Sequence, residues 1–238
     1  MNMLKFGLVI AKPEKDITEL NYILSDDEAE FFLFPESYLH SDQIEVATQV
    51  AKANGKWLMT GIDDYRYSGK KYETAIIIDP SGDIVGEHKK TSLTDYEIEN
   101  GYCQGDSIKV IDTVFGKIGI AICYEIHFPE VSRIYALQGA KFIFNPVGTG
   151  MWHEHQYEQW NSIARARASE NGVFVLGCSH FNNTIPFAFA YTTNGECLVK
   201  SREVNRVVYV SLDLDKYQIK KNFSQRRPEL YNDITKNR

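Results

Sequence analysis

Gly116-Lys117-Ile118-Gly119-Ile120-Ala121-Ile122-Cys123-Tyr124-Glu125-Ile126-His127-Phe128-Pro129-Glu130 contains the transition around which this chain is organised. The run up to Ile122 is apolar and predicts a short buried strand. The abrupt change to charged and aromatic residues predicts the turn that ends it. Open α/β sheets place ligands at the carboxyl ends of their strands. Cys123 falls at such an end, so its thiol is either a nucleophile facing a pocket or a small core residue.

Strand-like and helix-like segments alternate on both sides of this stretch. Upstream, the pattern predicts a strand over 4–11 and a helix over 17–24. Glu30-Phe31-Phe32-Leu33-Phe34 follows as a buried strand stopped by Pro35, which cannot continue a central ladder. A helix over 43–54 carries Ile44, Ala47, Val50 and Ala51 at helical spacing, and Gly55 stops it. A strand over 56–61 precedes a hairpin, 72–79 and 83–88, that turns at Pro80-Ser81-Gly82.

Downstream, a helix over 131–138 ends at Gly139, and a strand over 141–145, a helix over 160–171 and a strand over 173–178 follow. Segments 187–192 and 196–200 flank Thr193-Asn194-Gly195, a strong hairpin turn. The last strand covers 207–212, and a polar tail runs from 215 to 238. With no internal repeat and no linker, residues 1–238 read as a single α/β domain. Two mixed sheets covered by helices are expected. They form a four-layer α-β-β-α sandwich if the sheets pack on each other, which periodicity alone does not decide.

The composition, 43% apolar and 24% charged over 238 residues, is that of a globular domain with a sizeable core. A formal net charge of −6 argues against a nucleic-acid partner, which would need a basic face. No apolar stretch approaches the roughly 20 residues of a membrane span, and the first residues lack the apolar region of a signal peptide. A cytoplasmic protein is expected. Cys103, Cys123, Cys178 and Cys197 are scattered without a CxxC pair, so free thiols are expected rather than a disulfide framework or zinc ribbon. Cys178 and Cys197 read as small buried hydrophobes.

A catalytic cysteine needs a base or a cation beside it, because the free thiol is mostly protonated at neutral pH. Two other strand ends offer them. Glu36 follows the apolar run 31–35, and Lys90 closes the second hairpin strand, 84–89. Each alone reads more readily as a solvated surface charge.

Together they resemble the nitrilase, or carbon–nitrogen hydrolase, superfamily. Phe34-Pro35-Glu36, Gly86-Glu87-His88-Lys89-Lys90-Thr91-Ser92-Leu93 and Ile122-Cys123-Tyr124-Glu125-Ile126-His127-Phe128-Pro129-Glu130 match its three motifs in order. Arg133, Gly139-Ala140, Arg165-Ala166-Arg167-Ala168-Ser169-Glu170-Asn171 and Arg226-Arg227-Pro228-Glu229-Leu230-Tyr231 also fit.

The resemblance implies a Glu36-Lys90-Cys123 triad, with Glu36 as general base and Cys123 as nucleophile. It also implies a second glutamate that supports the lysine. Glu99, in Glu99-Asn100-Gly101-Tyr102-Cys103-Gln104-Gly105, is chosen over Glu97, although the segment is one residue shorter than the family pattern and lacks its proline. The implied reaction is hydrolysis of a small amide through a Cys123 thioester. Lys90 and the backbone N–H of Tyr124 would hold the developing oxyanion, and Asn145 and Trp152 are further substrate-binding candidates.

No metal or other cofactor is required by this scheme. His153-Glu154-His155 invites a ligand reading, but its two histidines lie two apart on an expected helix start and no zinc set is completed. A homodimer, through helices that include the one after Cys123, is implied by the resemblance alone.

Several readings compete. Tyr124 stands where true nitrilases carry Trp, which favours an amidase over a nitrilase, while carbamoyl amide cleavage stays open. The membrane-bound N-acyltransferase branch has membrane helices that this chain lacks. A cysteine protease would need a histidine partner in a matching motif. An inactive binding or scaffold member of the family is the rival from outside enzymology, against which stand three filled triad positions.

Overall fold

A computed structural model describes residues 3–204, 207–217 and 223–236. The first sheet starts with β1 (Met3–Val9), β2 (Phe31–Leu33) and β3 (Leu39–His40), followed by β4 (Trp57–Asp64), β5 (Tyr72–Ile78) and β6 (Ile84–Lys89). The second contains β7 (Ile111–Thr113), β8 (Gly116–Ile120), β9 (Phe142–Val147), β10 (Phe174–Ser179), β11 (Ala188–Tyr191) and β12 (Cys197–Ser201). The chain then returns to the first sheet as β13 (Val207–Asp213).

The sheet orders are β13-β1-β2-β4-β5-β6, with β3 beside β4, and β12-β11-β10-β9-β8-β7. Parallel strands form the centre of each, β1-β2-β4 and β8-β9-β10, and antiparallel strands flank them. Both sheets are mixed, as expected.

Helices α1 (Ile17–Leu24) and α2 (Ile44–Asn54) cover the first sheet, and α4 (Pro129–Leu137) and α5 (Glu154–Asn171) cover the second. The one-turn helix α3 (Asp95–Glu99) lies between β6 and β7. Asp16 caps α1 by accepting from the Thr18 N–H at 2.9 Å. Gly55 and Gly172 end α2 and α5 in the left-handed conformation.

Side-chain alternation makes the layers. Phe31 and Leu33 of β2 point between the sheets with Phe6, Phe142, Phe144 and Phe174, whereas Phe32 and the following Phe34 pack on the α1/α2 side. The Phe6–Phe142 and Phe31–Phe144 ring centroids are 5.7 and 5.3 Å apart across the sandwich. Sheets buried on both faces need unbroken apolar runs, and each fully buried phenylalanine contributes roughly 1.5–3 kcal/mol. The sheets therefore pack on each other, which settles the four-layer α-β-β-α sandwich that periodicity left open.

Two local readings are corrected. Helix α5 begins at Glu154 rather than at 160, because His153 caps it through Nδ1, which accepts from the Gln156 N–H at 3.1 Å. Its first turns are largely solvent-facing and carry little apolar periodicity to read. α3 and β7 fall between the hairpin and the strand before Cys123, where the pattern predicts no element, because both are too short to show a period. Among the described residues, no helix is long and apolar enough to cross a membrane.

Candidate active site

The opening stretch behaves as its pattern implies: β8 ends at Ile120, and a 3₁₀ turn runs Cys123–His127. Cys123 adopts a φ of 48°, uncommon for a residue with a side chain, and the surrounding contacts hold it there. Asn145 Nδ2 donates to the Ala121 and Cys123 carbonyls at 2.6 and 3.1 Å, while its Oδ1 accepts from Trp160 Nε1 at 3.0 Å. Arg167 of α5 donates to the carbonyls of Ile126 and His127 at 3.0 and 2.9 Å. The turn is thus clamped from β9 and from α5.

Glu36 arrives from β2 by way of Pro35. Gly61 of β4 makes room for this corner, since a Cβ there would lie 2.4 Å from the Glu36 Cα. The Glu36 carboxylate accepts from Lys90 Nζ at 2.8 Å and from the Gly148 N–H at 2.8 Å, and the Cys123 thiol stands beside it on the same cavity. His180 Nε2 faces the Glu36 backbone carbonyl at 2.8 Å. Burial pushes the Glu36 carboxyl up; the Lys90 ammonium opposes this and Glu97 adds to it, leaving a net rise.

Lys90 follows β6 directly and is closed to solvent. Its Nζ bridges Glu36 and Glu97, 2.5 Å from Glu97 Oε1. Burial alone would drive the ammonium towards its neutral form, but Glu36, Cys123 and Glu97 reverse that and raise its pKa well above the ordinary value. Burial, together with Glu36, pushes the Cys123 thiol up, and Lys90 pulls in the opposite direction. The resting group is therefore a thiol beside a carboxylate and a fixed cation. Loss of the thiol proton to Glu36 would leave the new charge next to Lys90.

The glutamate that meets Lys90 is Glu97, not Glu99. Glu97 Oε2 accepts from the Thr94 N–H at 2.7 Å, closing a capping box that starts α3, while Oε1 meets Lys90. Two residues along a helix is about 200° of rotation, so Glu99 is carried to the exposed side. The spacing Thr94-Asp95-Tyr96-Glu97 is the signal that could have found it.

Asn145 also takes a different place: it is closed to solvent and its amide is committed to the Cys123 turn and Trp160. It holds the Cys123 turn and does not line the cavity. Tyr124 and Trp152 do line the cavity beside Cys123, a space of about 700 Å³, with 70% of Trp152 exposed. His153 is a helix cap and His155 is exposed; among the described residues no group of three His, Cys, Asp or Glu side chains is arranged to hold a metal ion.

Sequence reading also missed Glu125. This buried carboxylate accepts from the Thr91 N–H at 2.7 Å, Thr91 Oγ1 at 2.6 Å and the Ile122 N–H at 2.7 Å, and pairs with His88 Nε2 at 2.8 Å. It fastens the segment after Lys90 to the backbone just before Cys123.

The model of the carbon-nitrogen hydrolase family matches residues 9–221. The chain belongs to this family. A hydrolase of Schizosaccharomyces pombe is 30% identical over 216 residues, 82% of this chain and 65% of its own length. The ω-amidase NIT2 of Bos taurus is 28% identical over 212 residues, 80% of this chain and 75% of that protein. In fold, the carbon-nitrogen hydrolase of Helicobacter pylori G27 superposes with a TM-score of 0.89 at 20% identity, covering 99% of both chains. The chain spans less than two thirds of the length of the yeast relative.

Proposed function

We propose that this carbon–nitrogen hydrolase cleaves the C–N bond of a small amide through a thioester on Cys123. The observation that carries the reading is the buried Lys90 ammonium, set between the Glu36 and Glu97 carboxylates with the Cys123 thiol beside Glu36. A surface lysine would need neither the burial nor two carboxylates. The likeness to an ω-amidase supports an amide as the substrate class.

In this reading Glu36 takes the thiol proton as sulfur attacks the amide carbon. The charge moves to the carbonyl oxygen, where Lys90 Nζ and the Tyr124 N–H donate to it. Glu36 returns the proton to the leaving nitrogen as the C–N bond breaks, releasing ammonia or an amine and leaving the acyl group on sulfur. Water then gives a proton to Glu36 and its oxygen to the thioester carbon, so that the carboxylic acid leaves and the thiol is restored. Glu97 holds Lys90 charged throughout. Cytoplasmic location and a homodimer belong to the same proposal, the second readable by light scattering on the purified protein.

Ammonia release from a panel of small primary amides tests the reaction. Turnover by the wild type and its loss in Cys123→Ala are expected. Equal turnover by the two proteins would overturn the assignment of the nucleophile.

A further inference from the structure

The wall of the cavity beyond the triad carries charge that the reaction does not use. Four carboxylates line the space, those of Glu36, Asp63, Glu73 and Glu97. Lys90 serves Glu36 and Glu97. Lys15 serves Asp63 and also donates to the Ser37 carbonyl at 2.7 Å. No cation among the described residues pairs with Glu73. Its Oε2 accepts from Ser37 Oγ at 2.6 Å, it shares the Tyr102 hydroxyl with Asp63, both uncharged donors, and it faces the Asp63 carboxyl itself. The nearby Lys71 ammonium sits 3.7 Å from the Tyr102 ring centroid and makes no ion pair with Glu73.

Glu73 is only 4% exposed, and the sheet holds it where it is. In the antiparallel β4–β5 pair it lies directly opposite Asp63. Two like charges in that position would destabilise a sheet, and an ionised carboxylate buried without a counter-charge is costly, so burial favours the neutral acid at Glu73. Burial, with Glu36 and Asp63 adding to it, pushes the Glu73 carboxyl well above the usual range, the direction expected of an acid lacking its cation. The acid stands on the wall of the cavity that also holds the Cys123 thiol.

We infer that the counter-charge that would ionise Glu73 is brought by the substrate: the cavity takes a small amide whose far end carries an ammonium group, held by Glu73 and Asp63. This rests on the amide-hydrolase reading and adds the class of acyl group. The cavity's aromatic lining of Tyr96, Tyr102, Tyr124 and Trp152 suits an alkylammonium, which is attracted to ring faces as well as to carboxylates. A substrate ending in a carboxylate would meet Glu73 and Asp63 as repulsion.

Three amides of similar size separate the possibilities: 3-aminopropanamide (cationic), butanamide (neutral) and succinamate (anionic). Longer ω-amino amides allow for reach. Wild-type kcat/KM should favour the best ω-amino amide over its neutral counterpart by about tenfold or more, with succinamate the poorest. Glu73→Gln should collapse the ratio between cationic and neutral amides. A general loss of folded enzyme lowers both rates and leaves that ratio unmoved.

A wild-type preference for butanamide or succinamate overturns the inference, as does an unchanged ratio in Glu73→Gln. If no amide is turned over, the hydrolase reading fails by itself. Calorimetric binding of the same compounds to Cys123→Ala then decides the charge preference, with the cationic amide expected to bind tightest and any other order refuting it.

Discussion

His88 Nε2 lies 2.8 Å from Glu125 Oε2, and both side chains are closed to solvent. Tyr135 gives its hydroxyl proton to the Ile120 carbonyl at 2.6 Å, leaving its oxygen facing His88 Nδ1. Both imidazole nitrogens thus meet acceptors, while Glu125 gathers the donors of Thr91 and Ile122. Burial works against the Glu125 carboxylate, but His88 and the hydrogen bonds outweigh it and hold its pKa below the ordinary value. Breaking one side of such a pair costs about 3–5 kcal/mol. Glu125→Gln should lose stability on that order in urea denaturation. A carboxyl depressed in the folded state stabilises above its unfolded value, ordinarily 4.5, and that contribution disappears as pH falls through the folded value. The wild type should therefore show an acid-side loss of stability that Glu125→Gln shows less.

Glu97 and Glu99 give a direct contrast. Glu97→Gln weakens the field that keeps Lys90 charged and should lower kcat by about 10²–10³, the range for losing one oxyanion donor. Glu99→Gln, on the exposed side of α3, should keep turnover within about twofold of wild type. Steady-state kinetics on one amide reads both, and a larger defect in Glu99→Gln would reverse the placement.

The pH dependence of kcat/KM should have an acid limb set by Glu36, since the base must be ionised to take the thiol proton. Burial raises this carboxyl above its ordinary 4.5, so activity should rise with pH through a midpoint above that value. A limb at or below 4.5 would show that another group provides the base.

Gly148 touches Glu36 twice over. Its N–H donates to Glu36 Oε2, and a Cβ built on it would lie 2.7 Å from that same oxygen. Gly148→Ala should displace the carboxylate while circular dichroism stays native, with kcat falling about tenfold or more, as misplacement of a base predicts. Native turnover in this variant would mean that Glu36 tolerates displacement.

Labelling with iodoacetamide offers a separate check on the thiol. Cys103 and Cys123 are partly buried, Cys178 is buried and Cys197 is exposed. Cys123 should react fastest among the buried and partly buried thiols, because only there does a carboxylate accept the proton beside a fixed ammonium. Lys90→Met should slow that reaction, and peptide mapping by mass spectrometry measures it.

What the sequence determined by itself is local in origin. Apolar runs such as Phe31-Phe32-Leu33-Phe34 reveal strands buried on both faces, and the change at Ile122-Cys123-Tyr124 marks a strand end. Ordered motifs bring Glu36, Lys90 and Cys123 to attention, and Glu36 and Lys90 lie 54 residues apart in the chain. What only the tertiary structure decided depends on register and rotation. A helical rotation of two residues exchanges Glu97 for Glu99, and the β9-to-turn contact turns Asn145 inward. The β4–β5 register sets Asp63 opposite Glu73, where each residue alone reads as an ordinary polar position in a strand. Side-chain charge is written in the sequence, but its energy depends on which neighbours share its burial, and long-range packing supplies those neighbours.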